Sequence, residues 1–142
     1  MKGINFFENV LETVREDDFQ SLVSQLSDKK VLVGCLAKVI RYSILFTAVD
    51  EESGKLIGMA TLTKAWKPTG FFGTLEDVVV EQKYRGRGIG KELVRRIISK
   101  AKELEMNSID LTSNPKRVVA NRLYLSMGAE KRDTNVYRFK IK

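Results

Sequence analysis

The apolar positions in the first part of the chain change their spacing along the sequence, and that spacing predicts one strand followed by two helices. Residues 9–14 are predicted to form a short strand. The first helix is expected to be capped by Asp17, a residue type that suits a helix N-terminus, and the second covers about residues 30–41. The inward positions recur at helical spacing: Phe19, Leu22, Val23 and Leu26, then Val33, Leu36, Ala37 and Ile40.

Three strands are predicted in the middle of the chain, at residues 44–49, 55–63 and 72–80, with turns at 50–54 and 67–70. The helix that follows runs from Glu92 to about Leu104. Its apolar stripe is formed by Ile89, Leu93, Ile97, Ala101 and Leu104.

The last part of the chain is predicted to contain a strand at residues 108–112 and a helix at 118–127 that is ended by Gly128. A final hairpin is predicted from residues 130–132 and 136–141. The element order is therefore β-αα-βββ-α-β-α-ββ, an α/β fold with a mixed sheet. Its central β-α-β unit should be parallel with a right-handed crossover, and the meander before it antiparallel.

Length and composition limit the classes of protein that this chain can be. Its 142 residues suit one domain, expected over residues 1–142. The single cysteine, Cys35, excludes an internal disulfide and is expected to be a buried structural thiol. There is no histidine, so histidine-based catalysis and histidine metal ligands are excluded, and no metal is expected. With neither a signal pattern nor a membrane-length apolar run, we expect a cytoplasmic protein.

The net charge of +7 is unevenly distributed along the chain. Residues 1–81 carry 9 basic and 12 acidic side chains, whereas residues 82–142 carry 16 and 6. A basic half indicates nucleic acid or a small polyanion as a ligand. A solvated helix face accounts for part of this charge, namely Arg95, Arg96, Lys100 and Lys102.

The basic surplus begins at residues 85–91, Arg-Gly-Arg-Gly-Ile-Gly-Lys, which lie between a predicted strand and a predicted helix. Glycines allow a backbone to approach a ligand closely, and the unpaired amides of a helix's first turn bind anions. We therefore expect an anion site here, of the kind that holds a diphosphate. A Walker A loop is excluded because Glu92 follows Lys91, and a dinucleotide fingerprint is one residue short.

The pattern Arg-x-x-Gly-x-Gly at Arg85, Gly88 and Gly90 resembles the GNAT superfamily of acyl-CoA N-acyltransferases. The preceding strand at 75–80 and the segments 120–124 and 127–129 share the resemblance, which extends from about residue 10 to 141. Many members have asparagine where this chain has Arg117, which weakens any role at that position. Many also have Gly-Phe where this chain has Gly128-Ala129, a variation in packing. The resemblance implies a single-domain fold whose parallel strands splay apart at the cofactor site.

The resemblance also implies how acetyl-CoA binds. Its diphosphate would lie on the amides of residues 85–91, and its pantetheine arm would pair with the backbone of residues 78–80. The implied cofactor-binding residues are Val78, Val79, Val80, Arg85, Gly86, Arg87, Gly88, Ile89, Gly90, Lys91 and Asn121. The three valines also fit a buried central strand, and Asn121 also fits a role in satisfying backbone groups at a helix start.

Tyr124 matches the tyrosine that the family places near the cofactor sulfur. It is expected to donate a hydrogen bond as charge develops on that sulfur. Without the resemblance, a core aromatic on an amphipathic helix is the favoured interpretation.

Glu76 matches a position that is often acidic in this family, and an amine acceptor needs a base. An alkylammonium has a pKa of about 10.4, so most of it is protonated at neutral pH. A carboxylate with a pKa of about 4.3 needs either a bridging water or burial that raises its pKa. Asp77 follows on the same strand, so only one of the two is expected to face the acceptor. A strand-end carboxylate in a salt bridge is an equal alternative for Glu76.

The sequence therefore predicts an acetyl-CoA-dependent N-acetyltransferase in which a primary amine attacks the thioester directly in a ternary complex. A non-catalytic acyl-CoA-binding regulator of the same fold is the alternative. A nucleic-acid binder is disfavoured because no reading motif is present. We expect a small-molecule amine as acceptor, with a protein amine as the alternative, no nucleic-acid or membrane partner, and a monomer or homodimer. Trp66, Phe71 and Phe72 are candidates for walls of the acceptor pocket or for ordinary packing.

Overall fold

The computed structural model of the protein describes residues 1–29, 31 and 34–142. These residues form two units, Met1–Leu111 and Thr112–Lys142. The strands are β1 (Ile4–Glu8), β2 (Ser43–Asp50), β3 (Leu56–Lys67), β4 (Gly70–Val80) and β5 (Ser108–Asp110). The α-helices are α1 (Glu16–Ser24), α2 (Cys35–Tyr42), α3 (Ile89–Glu103) and α4 (Val118–Ser126). No helix in the described part of the chain is both long enough and apolar enough to cross a membrane.

The five strands form one sheet in the order β1-β2-β3-β4-β5. The first four are antiparallel neighbours, and β5 pairs parallel to β4 after the α3 crossover. This confirms the predicted mixed sheet of an α/β fold. The core lies along β2 and the first half of β3, where nearly every residue is buried. Such continuous burial is expected for strands covered on both faces.

The predicted strand at residues 9–14 is wrong. The first strand is β1, which pairs with β2 from Ile4 opposite Asp50 to Glu8 opposite Phe46. Asn9 then takes a left-handed φ of 53°, which its short polar side chain tolerates. Its Oδ1 accepts a hydrogen bond from the Leu45 amide at 2.7 Å, and this long-range bond holds the chain where the strand ends. Residues 11–13 form a short 3₁₀ helix instead.

Helix α1 begins at Glu16, two residues earlier than an Asp17 cap requires, so Asp17 lies in its first turn, where an acidic side chain interacts favourably with the helix dipole. The predicted second helix included Lys30 and Val33, which lie outside the described residues. Within α2, Leu36 and Ile40 are half-buried, but Ala37 is exposed and its predicted inward position is wrong. The helix begins only at Cys35, and Val39 takes the inward place beside Ile40. Cys35 itself is half-buried rather than buried.

Helix α3 confirms the predicted apolar stripe and begins at Ile89 rather than Glu92. Four residues of the stripe are buried, and Leu104, just after the helix, is half-buried. The helix packs closely on the sheet at Gly58. A Cβ atom there would lie 3.2 Å from Ile89 Cγ2 and 3.3 Å from Leu93 Cδ1. A larger residue at position 58 would therefore push α3, and the loop before it, away from the sheet.

The second unit contains α4, and Gly128 follows that helix with a left-handed φ of 92°, as expected of a residue that ends a helix. The predicted final hairpin is wrong, because residues 129–142 form neither helix nor strand. Tyr137 and Phe139 are exposed there. Alternation of apolar and polar residues specifies the faces of a strand, but a strand also needs a neighbour that completes its hydrogen bonds. The strand predicted at residues 108–112 is likewise shorter and ends at Asp110.

Candidate active site

A β-bulge lies in the second half of β4, next to the predicted catalytic carboxylate. Thr61 of β3 pairs with Glu76, whereas Met59 pairs with Val79, so β4 holds one residue more than β3 in this interval. Asp77 takes a left-handed φ of 53° at this point. The Thr61 hydroxyl lies 3.2 Å from the Glu76 carbonyl and 3.4 Å from Asp77 Oδ2. A bulge bends the strand and changes the direction of its side chains.

Because of the bulge, Glu76 and Asp77 need not point to opposite faces of the sheet. The expectation that only one of Glu76 and Asp77 does so assumed regular alternation, which does not hold across a bulge, and both residues are exposed. Although Glu76 is exposed as a whole residue, the partial loss of water around its carboxylate raises its pKa, and the neighbouring charge of Asp77 raises it further. A higher pKa is the property that a carboxylate base needs for an ammonium acceptor.

The parallel pair of strands separates early. The ladder between the described residues of β4 and β5 runs only from Phe72–Ser108 to Thr74–Asp110, while β4 continues to Val80. Of the three valines at the end of β4, Val79 is buried and the other two are half-buried. This placement agrees with valine side chains that pack in the core, and it also agrees with a valine backbone that binds the pantetheine arm.

The glycine segment forms the turn between β4 and α3 and ends at the helix N-terminus. Gly86 and Gly88 take left-handed φ angles of 78° and 82°, and Gly88 is the N-cap of α3. The first hydrogen bond of this helix runs from the Glu92 amide to the Gly88 carbonyl, 3.0 Å. The amides of residues 89–91 precede that bond, so they have no carbonyl four residues back in the helix. This arrangement of amides binds anions.

Tyr84 directly precedes the glycine loop and attaches its start to the sheet. Its hydroxyl donates to Asp50 Oδ2 at 3.1 Å, and this bond is the main cause that raises the pKa of Tyr84. Asp50 also accepts from the amide and the hydroxyl of Ser53, at 2.8 and 2.9 Å, and these bonds lower its pKa. The Arg87 guanidinium lies 4.9 Å from the centre of the Tyr84 ring. Arg87 also lines an open cavity of about 510 Å³ together with residues 1–4 and 50–52.

Much of the basic surface of α3 is paired within the protein. Glu92 contacts Arg95 at 2.7 Å and Arg96 at 2.8 Å, and these partners, Arg95 first, lower the pKa of Glu92 to about 2. Lys100 contacts Glu8 at 2.9 Å and Glu103 at 3.0 Å. This confirms that a helix face accounts for part of the basic surplus. Arg87 and Lys91, both exposed, remain with the loop.

Arg85 is placed differently from the other cations of the loop. Its Nε donates to the Val80 carbonyl at 2.9 Å, and its Nη2 donates to Gln25 Oε1 at 2.9 Å. The side chain is thereby attached to the end of β4 and to the residue that follows α1. Sequence reasoning missed the partners of Tyr84 and Arg85, which both lie at the start of the loop. Neither Asp50 nor Gln25 carries a local signal, because each lies more than thirty residues from its partner.

The aromatic residues proposed as walls of the acceptor pocket lie at the end of the β3–β4 hairpin. Trp66 and Phe71 are opposite each other in the ladder, and their rings stack at 4.5 Å between centres. Lys67 Nζ lies 4.7 Å from the centre of the Phe72 ring. Trp66 is 78% exposed, so it is not a core residue.

In the second unit, α4 carries the remaining predicted residues. Tyr124 is buried, and burial raises the pKa of its phenol, partly offset by the charge of Arg117. Asn121 Nδ2 donates to the Asn114 carbonyl at 3.0 Å, which is the backbone role given above as its alternative. The described residues contain no group of three or more His, Cys, Asp or Glu residues that could hold a metal ion.

Together, the mixed sheet, the early end of the β4–β5 ladder and the glycine loop before α3 define the class of protein. Residues 7–129 match the family model described as Acetyltransferase (GNAT) family, and the chain belongs to this family. Proteins of the family use acetyl-CoA.

The chain is similar to proteins of several kinds. It is 29% identical over 75 residues to the uncharacterized N-acetyltransferase ycf52 of Pyropia yezoensis, an alignment covering 51% of this chain and 41% of that one. The chain spans less than half the length of the curated relatives that it matches. Its fold matches glucosamine-6-phosphate N-acetyltransferase from Arabidopsis thaliana, with a TM-score of 0.82 at 18% identity over 96% of this chain and 97% of that chain. An aminoglycoside N-acetyltransferase in complex with CoA matches with a TM-score of 0.79 at 15% identity, over 98% and 95% of the two chains.

Proposed function

We propose that this protein transfers an acetyl group from acetyl-CoA to a primary amine, and that a small molecule carries that amine. The observation that carries the proposal is the anion-binding loop at the N-terminus of α3, a few residues after β4, whose parallel pairing with β5 ends early. Membership of the acetyltransferase family supports the same reaction.

The loop has the features that a diphosphate requires. The left-handed glycines Gly86 and Gly88 turn the backbone so that the first-turn amides of α3 lie together at one end of the helix. Arg87 and Lys91 add charge to that end, and the end of β4 offers an extended backbone for the pantetheine arm. When bound there, acetyl-CoA supplies the activated acyl group as a thioester.

The amine must lose a proton before it can attack. With a pKa of about 10.4, only on the order of one ammonium in a thousand is neutral at pH 7, a cost of roughly 4–5 kcal/mol if nothing assists. Glu76 is the proposed base, acting through a water molecule. The raised pKa of its carboxyl favours this role because the difference from the ammonium is smaller.

The nitrogen then forms a bond to the thioester carbonyl carbon, and the carbon–sulfur bond breaks so that the sulfur leaves as a thiolate. The proton that the nitrogen loses as it becomes an amide balances the proton that the thiolate takes up to give the free thiol. This direct attack in a ternary complex needs no acyl-enzyme. Tyr124 is the proposed hydrogen-bond donor to the sulfur as negative charge develops there. The phenol is neutral at pH 7 already at its ordinary pKa of about 10, and burial raises that pKa, so the group is available as a hydrogen-bond donor.

An acceptor screen tests the proposal. Release of free thiol from acetyl-CoA should be followed with a panel of amino sugars, polyamines, amino acids and peptides. Glu76→Gln should abolish most of the thiol release, whereas Glu12→Gln, an exposed carboxylate in the 3₁₀ helix, should leave it unchanged. If the protein binds CoA tightly but releases no thiol with any amine, the enzyme proposal fails and a CoA-binding regulator takes its place.

A further inference from the structure

We propose that Arg85 is a positioning residue that ties the glycine loop to the C-terminal end of α1, and that it is not a ligand of the diphosphate. The proposal rests on the proposed function in one respect, because it takes the loop to be the acyl-CoA site. It differs from the expectation drawn from the sequence, which counted Arg85 with the cofactor-binding cations.

The contacts of Arg85 point away from a simple phosphate role. Its Nε and Nη2 donate, each at 2.9 Å, to the Val80 carbonyl and to Gln25 Oε1. Val80 is the last residue of β4, and Gln25 is the C-cap of α1. An arginine fork holds its partners in a fixed planar geometry, so one side chain sets the spacing between these two elements.

Gln25 is itself oriented by a second partner, to which it donates a hydrogen bond. Its Nε2 lies 3.4 Å from Glu81 Oε2, which assigns the amide oxygen to Arg85 and the nitrogen to Glu81. The other oxygen of Glu81 accepts the Gln82 amide at 3.0 Å, and Lys55 Nζ lies 3.7 Å from Glu81 Oε2. The Glu81 amide donates to the Ile57 carbonyl at 2.8 Å. Arg85, Gln25 and Glu81 therefore form a network, here called the Arg85 network, that joins α1, β3 and the start of the loop.

The other two cations of the loop lack this arrangement of contacts and suit the ligand role better. Arg87 lies over the Tyr84 ring and lines an open cavity, and Lys91 is exposed in the first turn of α3. The charge that attracts the anion is therefore assigned to Arg87 and Lys91. Arg85 instead holds the start of the loop against α1, a helix whose Phe19 and Leu22 are packed in the core.

The salt dependence of CoA binding separates the two roles. Titration calorimetry with CoA should be repeated over a range of NaCl concentrations, because salt weakens the attraction between exposed cations and an anionic ligand. Arg85→Gln is expected to weaken binding by about two- to tenfold, the effect of its two lost exposed hydrogen bonds, with a smaller change of the salt slope than either Arg87→Gln or Lys91→Gln. Arg87→Gln and Lys91→Gln should both flatten the slope. A slope flattened to the same extent by Arg85→Gln would overturn the proposal.

A second measurement needs no ligand. In the CoA-free protein, hydrogen exchange of the amides at the end of α1 should be faster in Arg85→Gln and in Gln25→Ala than in the unaltered protein. The double variant should exchange at the same rate as the single variants, because both remove the same contact. Additive effects of the two substitutions on the exchange rate, or an unchanged rate in Arg85→Gln, would contradict the proposed connection between the loop and α1. If the unaltered protein fails to bind CoA, the proposed function fails, while the exchange result still decides whether Arg85 connects the loop to α1.

Discussion

The hydroxyl of Tyr84 donates a hydrogen bond to Asp50 Oδ2 across 3.1 Å and so joins the residue before the glycine loop to the end of β2. The same ring supports the Arg87 guanidinium, 4.9 Å from its centre. One residue thus anchors the loop to the sheet and holds a cation at its surface. The loop is positioned by contacts with distant parts of the chain as well as by its own glycines.

Replacement of Tyr84 by phenylalanine should remove the anchor and keep the ring under Arg87. CoA affinity is expected to fall by no more than about tenfold, because a single hydrogen bond, here partly buried, makes a small net contribution. Calorimetric titration measures this change. Tyr42→Phe, at an exposed tyrosine of α2, is the matched control and should bind as the unaltered protein does.

The backbone conformation at Gly88 should require glycine. Its φ of 82° is left-handed, so Gly88→Ala is expected to lower the free energy of unfolding by about 1–2 kcal/mol and to weaken CoA binding. Gly90 lies within α3, so Gly90→Ala should preserve or increase stability. Urea unfolding compares the two variants. Equal stability of Gly88→Ala and the unaltered protein would show that the loop has another conformation.

The rate of acetyl transfer should fall as the pH is lowered, because protonation of Glu76 removes the proposed base. Burial and Asp77 raise the pKa of Glu76, so the acid limb of the kcat/KM profile should lie above the usual glutamate value. Glu76→Gln is expected to lower the rate by about a hundredfold or more and to remove that limb. Asp77→Asn, which removes the neighbouring charge, should move the limb to lower pH. A limb that stays in place in Glu76→Gln would assign the base to another group.

The Tyr124 phenol should affect turnover more than binding. Loss of a hydrogen bond to a developing charge is worth about 10- to 100-fold in rate, so Tyr124→Phe should lower kcat by that factor with CoA still bound. Tyr137→Phe, at an exposed tyrosine of the same unit, should have no effect. Steady-state kinetics with calorimetry separates the two parameters. An unchanged kcat in Tyr124→Phe would exclude the role.

The Glu92 ion pairs should contribute stability that depends on pH. The pKa of Glu92 is lowered to about 2, mainly by Arg95, so the contribution is complete above the ordinary glutamate value and is lost as the pH falls towards 2. Glu92→Gln is expected to lower Tm by about 1–3 °C at pH 7, because pairs on a helix surface are weak. The difference in Tm should vanish near pH 2. A constant difference across this range would mean that the side chain stabilises the fold by packing alone.

Local patterns account for the features that were predicted correctly. The stripe from Ile89 to Ala101 fits a helix because its period matches 3.6 residues, and Gly88 suits a left-handed cap because it has no Cβ. Both depend on residues close together in sequence. The predicted strand at residues 9–14 was wrong for the opposite reason, because the left-handed conformation of Asn9 is stabilised by a contact with Leu45, far along the chain.

By itself, the sequence determined the amphipathic α3, the glycine loop before it and the class of ligand that such a loop can hold, because glycine conformation and unpaired helix amides are local properties. The tertiary structure alone decided the rest. The bulge that exposes both Glu76 and Asp77 exists only because β4 pairs with β3. Arg85 finds Gln25 only because folding brings residues sixty positions apart to 2.9 Å. A hydrogen bond between distant residues depends on the packing of whole elements, and no local pattern of side chains encodes it.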